Sequence, residues 1–445
     1  MKTMREDMER IYQAAIAAVD PHEAVRRHLV RQGDTLQVKV QDGKTVPYNL
    51  SEYKKIVVVG GGKATAPMAA AVEDILNDRI TEGAIVVKYG YTMELSRITV
   101  LEASHPVPDQ NGVDGASRIR GMLEDAAEDT LVISLISGGG SALLALPAGE
   151  IRLEEKQAVT DMLLKSGASI HEMNAVRKHI SGVKGGNLAR VAYPATILNL
   201  MISDVVGDNM DVIASGPFVP DGSTYDDAIG ILRKYSLVEK IPENVIKHLE
   251  SGSKGNTGET PKEGDRYFQK VTNVIAASNI IALRSAAEEA GKLGYNTVIL
   301  SSMIEGDTAL TSEWHTAVLR EVCQSGNPVA PPACIISGGE TTVKVTGDGL
   351  GGRNMEFALQ VAARIRGMGN VLAASVGTDG TDGPTDAAGA LADGDTFNRA
   401  YDKGLSPGEY MERNDSYHFF ETLGDLVKTG PTNTNVMDVR IMLAK

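Results

Sequence analysis

The chain has 445 residues. A single hydrophobic core stops growing at roughly 250–300 residues, so two domains are expected. The formal net charge of −14 argues against a nucleic-acid binder, which would show a basic surface. The two cysteines, Cys323 and Cys334, lie outside any CxxC motif, which argues against a disulfide framework and favours reduced thiols in a cytoplasmic protein.

Residues 4–32 predict helices with a break at Asp20-Pro21. The first twenty residues lack the apolar core of a signal peptide. No apolar run of the chain approaches the ~18 residues that a membrane span needs.

Strands then alternate with helices. The strand predictions fall in residues 54–76, 83–90, 98–109, 129–148 and 196–217. This alternation predicts an α/β fold with a mainly parallel sheet. Ligands of such sheets bind beyond the carboxyl ends of the strands, so the polar loops that follow the strands are expected on one edge.

The first of these loops is GGGK, at residues 60–63. Gly61 and Gly62 allow close approach of an anion to the backbone, and Lys63 adds a full positive charge. The sequence fits neither a Walker A loop nor G-x-G-x-x-G. Anion binding and a plain tight turn both stay open.

The loop SGGGS has the same context after a later strand. Its members, all candidate anion-binding residues, are Ser137, Gly138, Gly139, Gly140 and Ser141. The alternative is an ordinary helix N-cap at Ser141. The loop does not match G-x-S-x-G, which weakens a serine hydrolase interpretation.

Two further segments carry charge. In SDVVGD, Asp204 and Asp208 follow a strand and could hold Mg²⁺ or act as a general base, or simply cap a turn. In NAVRKHISGVKGG, Arg177 and Lys184 belong either to an exposed helix face or to an anion site. His179 has no second histidine at metal-ligand spacing.

The C-terminal half continues the alternation after a polar stretch at 251–265, the best candidate linker. The predicted domains are therefore 1–252 and 266–445. The alternation in TTVKVTG (341–347) predicts a strand with one exposed face, and hence a mixed sheet in the second domain.

Three C-terminal loops are rich in glycine and charge. Glu340 in SGGETT could hold a metal or pair with Arg353, which follows two glycines and suits recognition of a carboxylate or phosphate. Asp379, Asp382 and Asp386 lie in GTDGTDGPTDAAG, which is either a series of turns or a source of ligands for a metal or for ribose hydroxyls.

These motifs together resemble the glycerate 2-kinase family, whose C-terminal part is called the MOFRL domain. The matching segments are GGGKATAPMA, HPVPDQNG, LISGGGSALLALPA, NAVRKHISGVKGG, ISDVVGD, IASGP, SGGETTV, GGRNMEFAL, GTDGTDGPTDAAGA and TGPTNTNVMD. They run in order from about residue 54 to 440.

The resemblance implies an ATP-dependent kinase that converts D-glycerate to 2-phosphoglycerate and ADP with Mg²⁺. It further implies a Rossmann-like N-terminal domain with a mainly parallel sheet, a smaller mixed α/β C-terminal domain, an active site in the cleft between them, and often a homodimer. Lys63 and Arg353 match the family's essential lysine and arginine. Asp204 or Asp208 matches an acidic position, as base or metal ligand, with Glu340 as a further metal ligand.

Two other functions are kept open. One is an NAD(P)H-dependent hydroxypyruvate reductase, a name given to some proteins of this family, although G-x-G-x-x-G is missing. The other is a non-catalytic binder of phosphorylated metabolites, which would bind nucleotide without turnover.

Overall fold

The structure is a computed structural model that describes residues 2–40 and 43–445. The strands in this part of the chain are β1 (Leu29–Gln32), β2 (Thr35–Lys39), β3 (Thr45–Asn49), β4 (Lys55–Gly61), β5 (Glu82–Lys88), β6 (Thr99–Ala103), β7 (Thr130–Ile136), β8 (Thr196–Ile202), β9 (Val271–Ala277), β10 (Asn296–Ile299), β11 (Ile304–Asp307), β12 (Ala333–Thr342), β13 (Val371–Gly377), β14 (Gly389–Asp393), β15 (Leu426–Val427) and β16 (Asp438–Ala444).

The helices complete the alternation predicted from the sequence. They are α1 (Lys2–Ala17), α2 (Pro21–His28), α3 (Thr65–Leu76), α4 (Gln110–Glu124), α5 (Gly140–Leu143), α6 (Leu153–Lys165), α7 (Ile170–His179), α8 (Asn187–Ala192), α9 (Tyr225–Lys234), α10 (Glu243–Ser253), α11 (Asn279–Lys292), α12 (Thr308–Ser325), α13 (Arg353–Arg364), α14 (Thr396–Asp402), α15 (Pro407–Glu412) and α16 (Ser416–Leu423).

Two compact units divide the chain. The N-terminal unit comprises residues 21–203 and 208–276, and the C-terminal unit comprises the residues up to Asp20, the segment 204–207 and residues 277–445. Among the described residues, no helix combines the length and the apolar character needed to cross a membrane.

A six-stranded sheet forms the centre of the N-terminal unit, in the order β6-β5-β4-β7-β8-β9. Strands β4 to β8 pair in parallel, and β4 lies against β7 with Lys55 opposite Thr130. All seven residues of β7 are buried, as expected for a parallel strand covered on both faces. The predicted α/β fold with a parallel N-terminal sheet is confirmed.

One predicted helix is partly wrong. Residues 29–32 form β1, which pairs antiparallel with β2 from Leu29–Val38 to Gln32–Thr35. Gly33, with φ +61°, makes the tight turn between the two strands, and this hairpin turn competes with continuation of α2.

The sheet of the C-terminal unit has the order β10-β12-β16-β13-β14-β15, and β11 also pairs with β12. Pairs of β12 with β10 and β11 are parallel, whereas β16 runs antiparallel to both β12 and β13. The predicted mixed sheet is therefore confirmed. Helices α12 and α13 pack on it through a buried cluster that includes Leu319, Phe357 and Val361.

The predicted strand over TTVKVTG (341–347), from which the mixed sheet was inferred, is wrong for most of its length. Strand β12 ends at Thr342, so most of TTVKVTG lies outside it. The backbone N–H groups of Thr346 and Gly347 donate to Asn414 Oδ1, at 2.8 and 3.0 Å, instead of joining a strand ladder.

Helix α1 belongs to the C-terminal unit, whereas the predicted boundaries assign it to the N-terminal domain. Met8 and Ile11 on this helix are completely buried. Arg5 pairs with Asp425 at 2.7 Å and with Asp393 at 3.0 Å. The stretch 251–265 lies inside the N-terminal unit, where Glu259 contacts His179.

Candidate active site

The loop after β4 is held by backbone contacts to its neighbours. Gly62 N–H donates to Val86 O at 3.1 Å, and Lys63 N–H donates to Gly138 O at 2.8 Å. Gly62 has φ +149°, and a Cβ there would lie 2.1 Å from Ser137 Oγ, so only glycine fits. Gly61 ends β4, and its own Cβ would meet Leu144. These amides are already bonded, which leaves the Lys63 side chain as the loop's contribution to ligand binding.

Lys63 lies at the carboxyl edge of the parallel sheet. Its side chain is half-buried, and nothing in residues 2–40 and 43–445 accepts a hydrogen bond or ion pair from Nζ. The position of a Cβ on Gly139 is 3.3 Å from Lys63 Cγ and 3.1 Å from the His105 ring, so these three residues meet.

His105 was missed as a site residue by the sequence analysis, although the segment HPVPDQNG that contains it was recognised. It follows β6. Burial, with Lys63 and Lys88 nearby, lowers the pKa of His105 to about 4. At neutral pH the imidazole is therefore uncharged beside two lysines.

The loop after β7 has two functions. Ser137 Oγ accepts from Ala64 N–H at 3.0 Å and contacts Thr65 Oγ1 at 3.2 Å, which fastens this loop to the one after β4. In the part of the chain that the structure describes, the N–H groups of Gly138 and Gly139 have no acceptor. Gly140 N–H is used by Ser137 O. Two backbone donors thus remain for a ligand next to Lys63.

Ser141 connects this loop to residues that are distant in the chain. Its Oγ lies 3.0 Å from Ser215 Oγ, and Lys184 Nζ donates to Ser141 O at 2.7 Å and to Ser141 Oγ at 3.2 Å. Ser215 was missed from the sequence, although it lies in the recognised motif IASGP. The predicted site residues Ser141 and Lys184 are therefore brought together.

The basic run at the end of α7 divides into bonded and unbonded side chains. Lys178 pairs with Asp211 at 3.0 Å and Asp221 at 3.2 Å. His179 lies 2.8 Å from Glu259 Oε1 through Nε2 and 2.6 Å from Ala175 O through Nδ1, which is a structural arrangement. The half-buried Arg177 has no hydrogen bond or ion pair to any described residue.

The two predicted aspartates after β8 belong to different units. Asp204 is half-buried and lies in the segment that belongs to the C-terminal unit. Asp208 belongs to the N-terminal unit and adopts φ +56°, in the left-handed region. Aspartate tolerates that region better than most residues, and an unusual backbone conformation is common at functional turns.

Arg353 begins α13 in the C-terminal unit and is bound by two carboxylates. Its Nη1 donates to Glu340 Oε1 at 2.7 Å, and its Nε donates to Asp438 Oδ2 at 2.8 Å. Both carboxylates raise the pKa of Arg353 and keep it charged, although burial opposes them. Burial raises the pKa of Glu340, and Arg353 opposes that shift.

The three aspartates of the Gly/Asp-rich loop after β13 differ in burial and in hydrogen-bond partners. Asp382 is buried and accepts from the N–H groups of Asn354 and Met355, at 3.0 and 2.8 Å, at the start of α13. Burial is the main cause that raises the pKa of Asp382 to about 6. Asp379 is half-buried, and its Oδ1 accepts from Thr381 N–H. Asp386 is exposed, bonded to Tyr417 and Lys428.

A cavity of about 550 Å³ lies within the C-terminal unit. Gly351, Gly352, Arg353, Asp379 and Asp382 contribute to its wall. The volume is in the range of small-molecule sites, about 300–1,000 Å³. The three glycine- and charge-rich loops of this half therefore border one concave surface.

A metal ion would need ligands beyond the protein. Within the described ranges, no group of three or more His, Cys, Asp or Glu side chains is arranged to hold a metal. Mg²⁺ is commonly bound by one or two carboxylates together with substrate phosphates and water. Of the predicted metal ligands, Asp204 and Glu340 belong to the C-terminal unit and Asp208 to the N-terminal unit, and within the described ranges they form no cage of three ligands.

Family models match most of the chain. The model described as a domain of unknown function, DUF4147, matches residues 7–250, and the MOFRL family model matches residues 333–438.

Individual relatives extend over nearly the full length. The chain is 43% identical over 443 residues to a glycerate 2-kinase of Pyrococcus horikoshii, which covers 99% of this chain and 97% of the relative. A crystal structure of a glycerate kinase from Thermotoga maritima has a TM-score of 0.89 at 36% identity and covers 100% of both chains. A relative from Agrobacterium vitis, 41% identical over 99% of this chain and 94% of its own length, carries the provisional name hydroxypyruvate reductase.

Proposed function

Because the chain belongs to the glycerate 2-kinase family, we infer that it is a kinase that phosphorylates D-glycerate, with ATP as phosphoryl donor and 2-phosphoglycerate and ADP as products. Relatives that match over the full length are named for this activity, and the identity of about two residues in five makes the same chemistry the direct expectation.

The observation that carries this function is the carboxyl edge of the parallel sheet. There the Lys63 ammonium has no acidic partner among the described residues, and the N–H groups of Gly138 and Gly139 lie beside it without acceptors. Phosphoryl transfer needs positioning and neutralisation of charge far more than covalent chemistry. An unneutralised cation with free backbone donors is suited to phosphate oxygens.

Each predicted residue receives a role within its own unit. Lys63 holds the transferring phosphoryl group, with the free amides after β7 as additional donors. Arg353 neutralises charge that develops during transfer, keeping Nε on Asp438 and exchanging its Glu340 contact for a phosphate oxygen. Asp204 or Asp208 accepts the proton of the 2-hydroxyl group.

Mg²⁺ is part of this proposal. Asp204 and Glu340 in the C-terminal unit, or Asp208 in the N-terminal unit, would supply the one or two carboxylates that Mg²⁺ commonly takes from a protein. When bound, the ion neutralises charge on the phosphate oxygens. The release of Glu340 from Arg353 would make that carboxylate available.

The loop after β4 argues against the reductase alternative. A dinucleotide fold would carry G-x-G-x-x-G after its first strand, whereas the loop after β4 reads GGGKAT and its amides are bonded to protein carbonyls and to Ser137 Oγ. Incubation with hydroxypyruvate and NADH tests it, because steady loss of NADH absorbance would favour the reductase.

The decisive experiment supplies ATP, Mg²⁺ and D-glycerate and separates 2-phosphoglycerate from 3-phosphoglycerate. We expect 2-phosphoglycerate and one ADP for each product molecule. ATP bound without formation of phosphoglycerate would instead support a non-catalytic phosphometabolite binder, and formation of 3-phosphoglycerate would refute the position of phosphorylation.

We further propose that the enzyme acts as a cytoplasmic homodimer, on the strength of the family resemblance. Light scattering should then give a mass near twice the chain mass of 47.2 kDa. A monomer mass at the concentrations used for the assay would contradict the dimer.

A further inference from the structure

Three basic side chains, Lys156, Arg177 and Lys184, interact with one another and form no ion pair with a carboxylate of the described residues. Lys184 is 1% exposed and donates to Ser141 alone. Lys156, 5% exposed, donates to the backbone oxygens of Ala145 and Leu146 at 3.3 and 3.2 Å. Arg177 has no partner in the described part of the chain.

The three charges act on one another. Burial is the largest cause that lowers the pKa of Lys184 well below its ordinary value, followed by Lys156 and Arg177. Burial and Arg177 likewise lower the pKa of Lys156 to about 7. These shifts mean that the groups are close enough to repel one another when charged and that no described carboxylate is among the causes that act on the two lysines.

The nearby carboxylates already bind other groups of the protein. Glu155, the neighbour of Lys156 in α6, accepts from Arg152 and from Asn244. Asp211 and Asp221 both bind Lys178. Burial of unpaired cations is costly, which is why the pKa values of both lysines are lowered, and an anion from outside the chain would favour their charged forms.

An orphan amide gives a second, independent indication of a ligand. Asn174 is 3% exposed, and its Nδ2 has no hydrogen-bond acceptor. Its Oδ1 accepts from Ser215 Oγ at 3.1 Å, and Ser215 in turn contacts Ser141, the partner of Lys184. The unused amide therefore belongs to the same cluster as the three cations.

We propose that Lys156, Arg177, Lys184 and Asn174 form a cation pocket that binds the carboxylate of the acceptor acid. The inference rests on the proposed function, since glycerate is the acceptor there. A carboxylate offers two oxygens with about four lone-pair sites, which the guanidinium, the ammonium groups and the free amide can share. Lys156, outside every recognised motif, and Asn174, at the start of NAVRKHISGVKGG, are thereby specificity residues that the sequence had not singled out.

The kinetic test uses Lys156→Met and Arg177→Met, with Lys165→Met as matched control. Lys184 is left intact because it also holds Ser141. Lys165 lies on the same helix as Lys156, exposed and paired with Asp161. We expect the KM for D-glycerate to rise at least tenfold in both variants and the KM for ATP to stay within twofold. A raised KM for ATP with an unchanged KM for D-glycerate would assign the pocket to the nucleotide and overturn the proposal.

A binding test separates this inference from the proposed function. D-glycerate and lactate, which share the carboxylate, should raise the Tm of the wild-type chain, whereas glycerol should not. Both pocket variants should lose this shift, and Lys156→Met should have a higher Tm than wild type without ligand, because the cost of burying or deprotonating an unpaired amine is removed.

The outcomes then differ. A wild-type chain that makes no phosphoglycerate but shows the carboxylate-dependent shift would refute the kinase and retain the pocket. A ligand shift that persists in both variants, or a lower Tm of ligand-free Lys156→Met, would show that the pocket has only a structural role.

Discussion

Lys63 is the residue on which phosphate binding depends most directly. We expect Lys63→Ala to lower kcat/KM by at least about 10²-fold, comparable to the loss of one transition-state donor. The fold should remain intact, since Nζ holds no described part of the protein. Steady-state kinetics with a thermal unfolding curve checks this. The control is Lys247→Ala, an exposed helix lysine paired with Glu243, and near-normal turnover of Lys63→Ala would remove Lys63 from the mechanism.

Arg353 combines a structural and a catalytic position. Replacement by alanine should lower kcat by roughly 10³-fold or more, by analogy with arginines that stabilise phosphoryl transfer. It also leaves Asp438, whose side chain is completely buried, with one guanidinium fewer. Unfolding curves must therefore accompany the kinetics. Arg413→Ala, which breaks only an exposed pair with Asp348, is the control. A fall of less than threefold would refute a direct role.

The cation pocket also predicts a dependence of stability on pH. The pKa of Lys156 is lowered from 10.5 to about 7 in the folded chain. Between these values the unfolded state holds a proton that the folded state has released, so stability should rise with pH. The slope for one proton is at most about 1.4 kcal/mol per pH unit. Burial is the main cause of this lowered pKa, and repulsion by Arg177 adds to it.

The comparison of wild type with Lys156→Met isolates this contribution. The gain in stability from the substitution should shrink as the pH is raised from about 7 towards 10, while Lys165→Met should show no such trend. Chemical denaturation at several pH values measures both differences. A constant difference between wild type and Lys156→Met would contradict the lowered pKa.

At the residue scale, the sequence predicts site residues where glycine and charge occur in one short segment, as at Lys63 and Arg353. Their roles stay predictions. Lys156 lies on a helical stretch without a motif, and Asn174 lies in NAVRKHISGVKGG but carries no charge that would have drawn attention to it. Both are connected to Lys184 only through tertiary packing. The three aspartates after β13 look equivalent in the sequence, and only the fold distinguishes buried Asp382 from exposed Asp386.

At the scale of elements, the junction of the β4 and β7 loops depends on glycine. Gly62→Ala should destabilise the protein by about 1–3 kcal/mol, since its Cβ would overlap Ser137 Oγ and its φ is unfavourable for alanine. Gly121→Ala provides the contrast, because this α4 position has no atom within 4 Å of an added Cβ. The Gly121→Ala variant should have a free energy of unfolding about 0.4–1 kcal/mol higher than wild type. Equal effects on Tm would contradict the close approach of the two loops.

The strands were predicted correctly where complete burial makes a strand a continuous apolar run. Both β4 and β7 are continuous apolar runs because helices cover both faces of a parallel sheet. Strand prediction failed in two places. Residues 29–32 form the hairpin of β1 and β2 in place of a helix, and after Thr342 the backbone amide of Thr346 binds Asn414 in place of a neighbouring strand. Neither the β1–β2 pairing nor the bond to Asn414 can be recognised from the residues of the mispredicted segment alone.

At the scale of the whole molecule, helix α1 should stabilise the C-terminal unit. Met8→Ala should cost about 2–5 kcal/mol, as expected for a buried methionine. Hydrogen exchange measured by mass spectrometry on the full chain should increase in β13, β14 and α11, and stay unchanged in β4 to β8. A uniform increase over both units would contradict the assignment of α1.

The position of α1 also has a consequence for synthesis. Its partners lie far along the chain: Arg10 pairs with Glu289 on α11, Arg5 with Asp425, and Asp7 with Lys445. The nearest of these pairs, Arg10 and Glu289, is separated by 279 positions. At about 5–20 residues per second, the ribosome needs roughly 14 to 56 seconds to make that stretch. Met4, Met8 and Ile11 therefore stay uncovered in the nascent chain until their partner helix has been made.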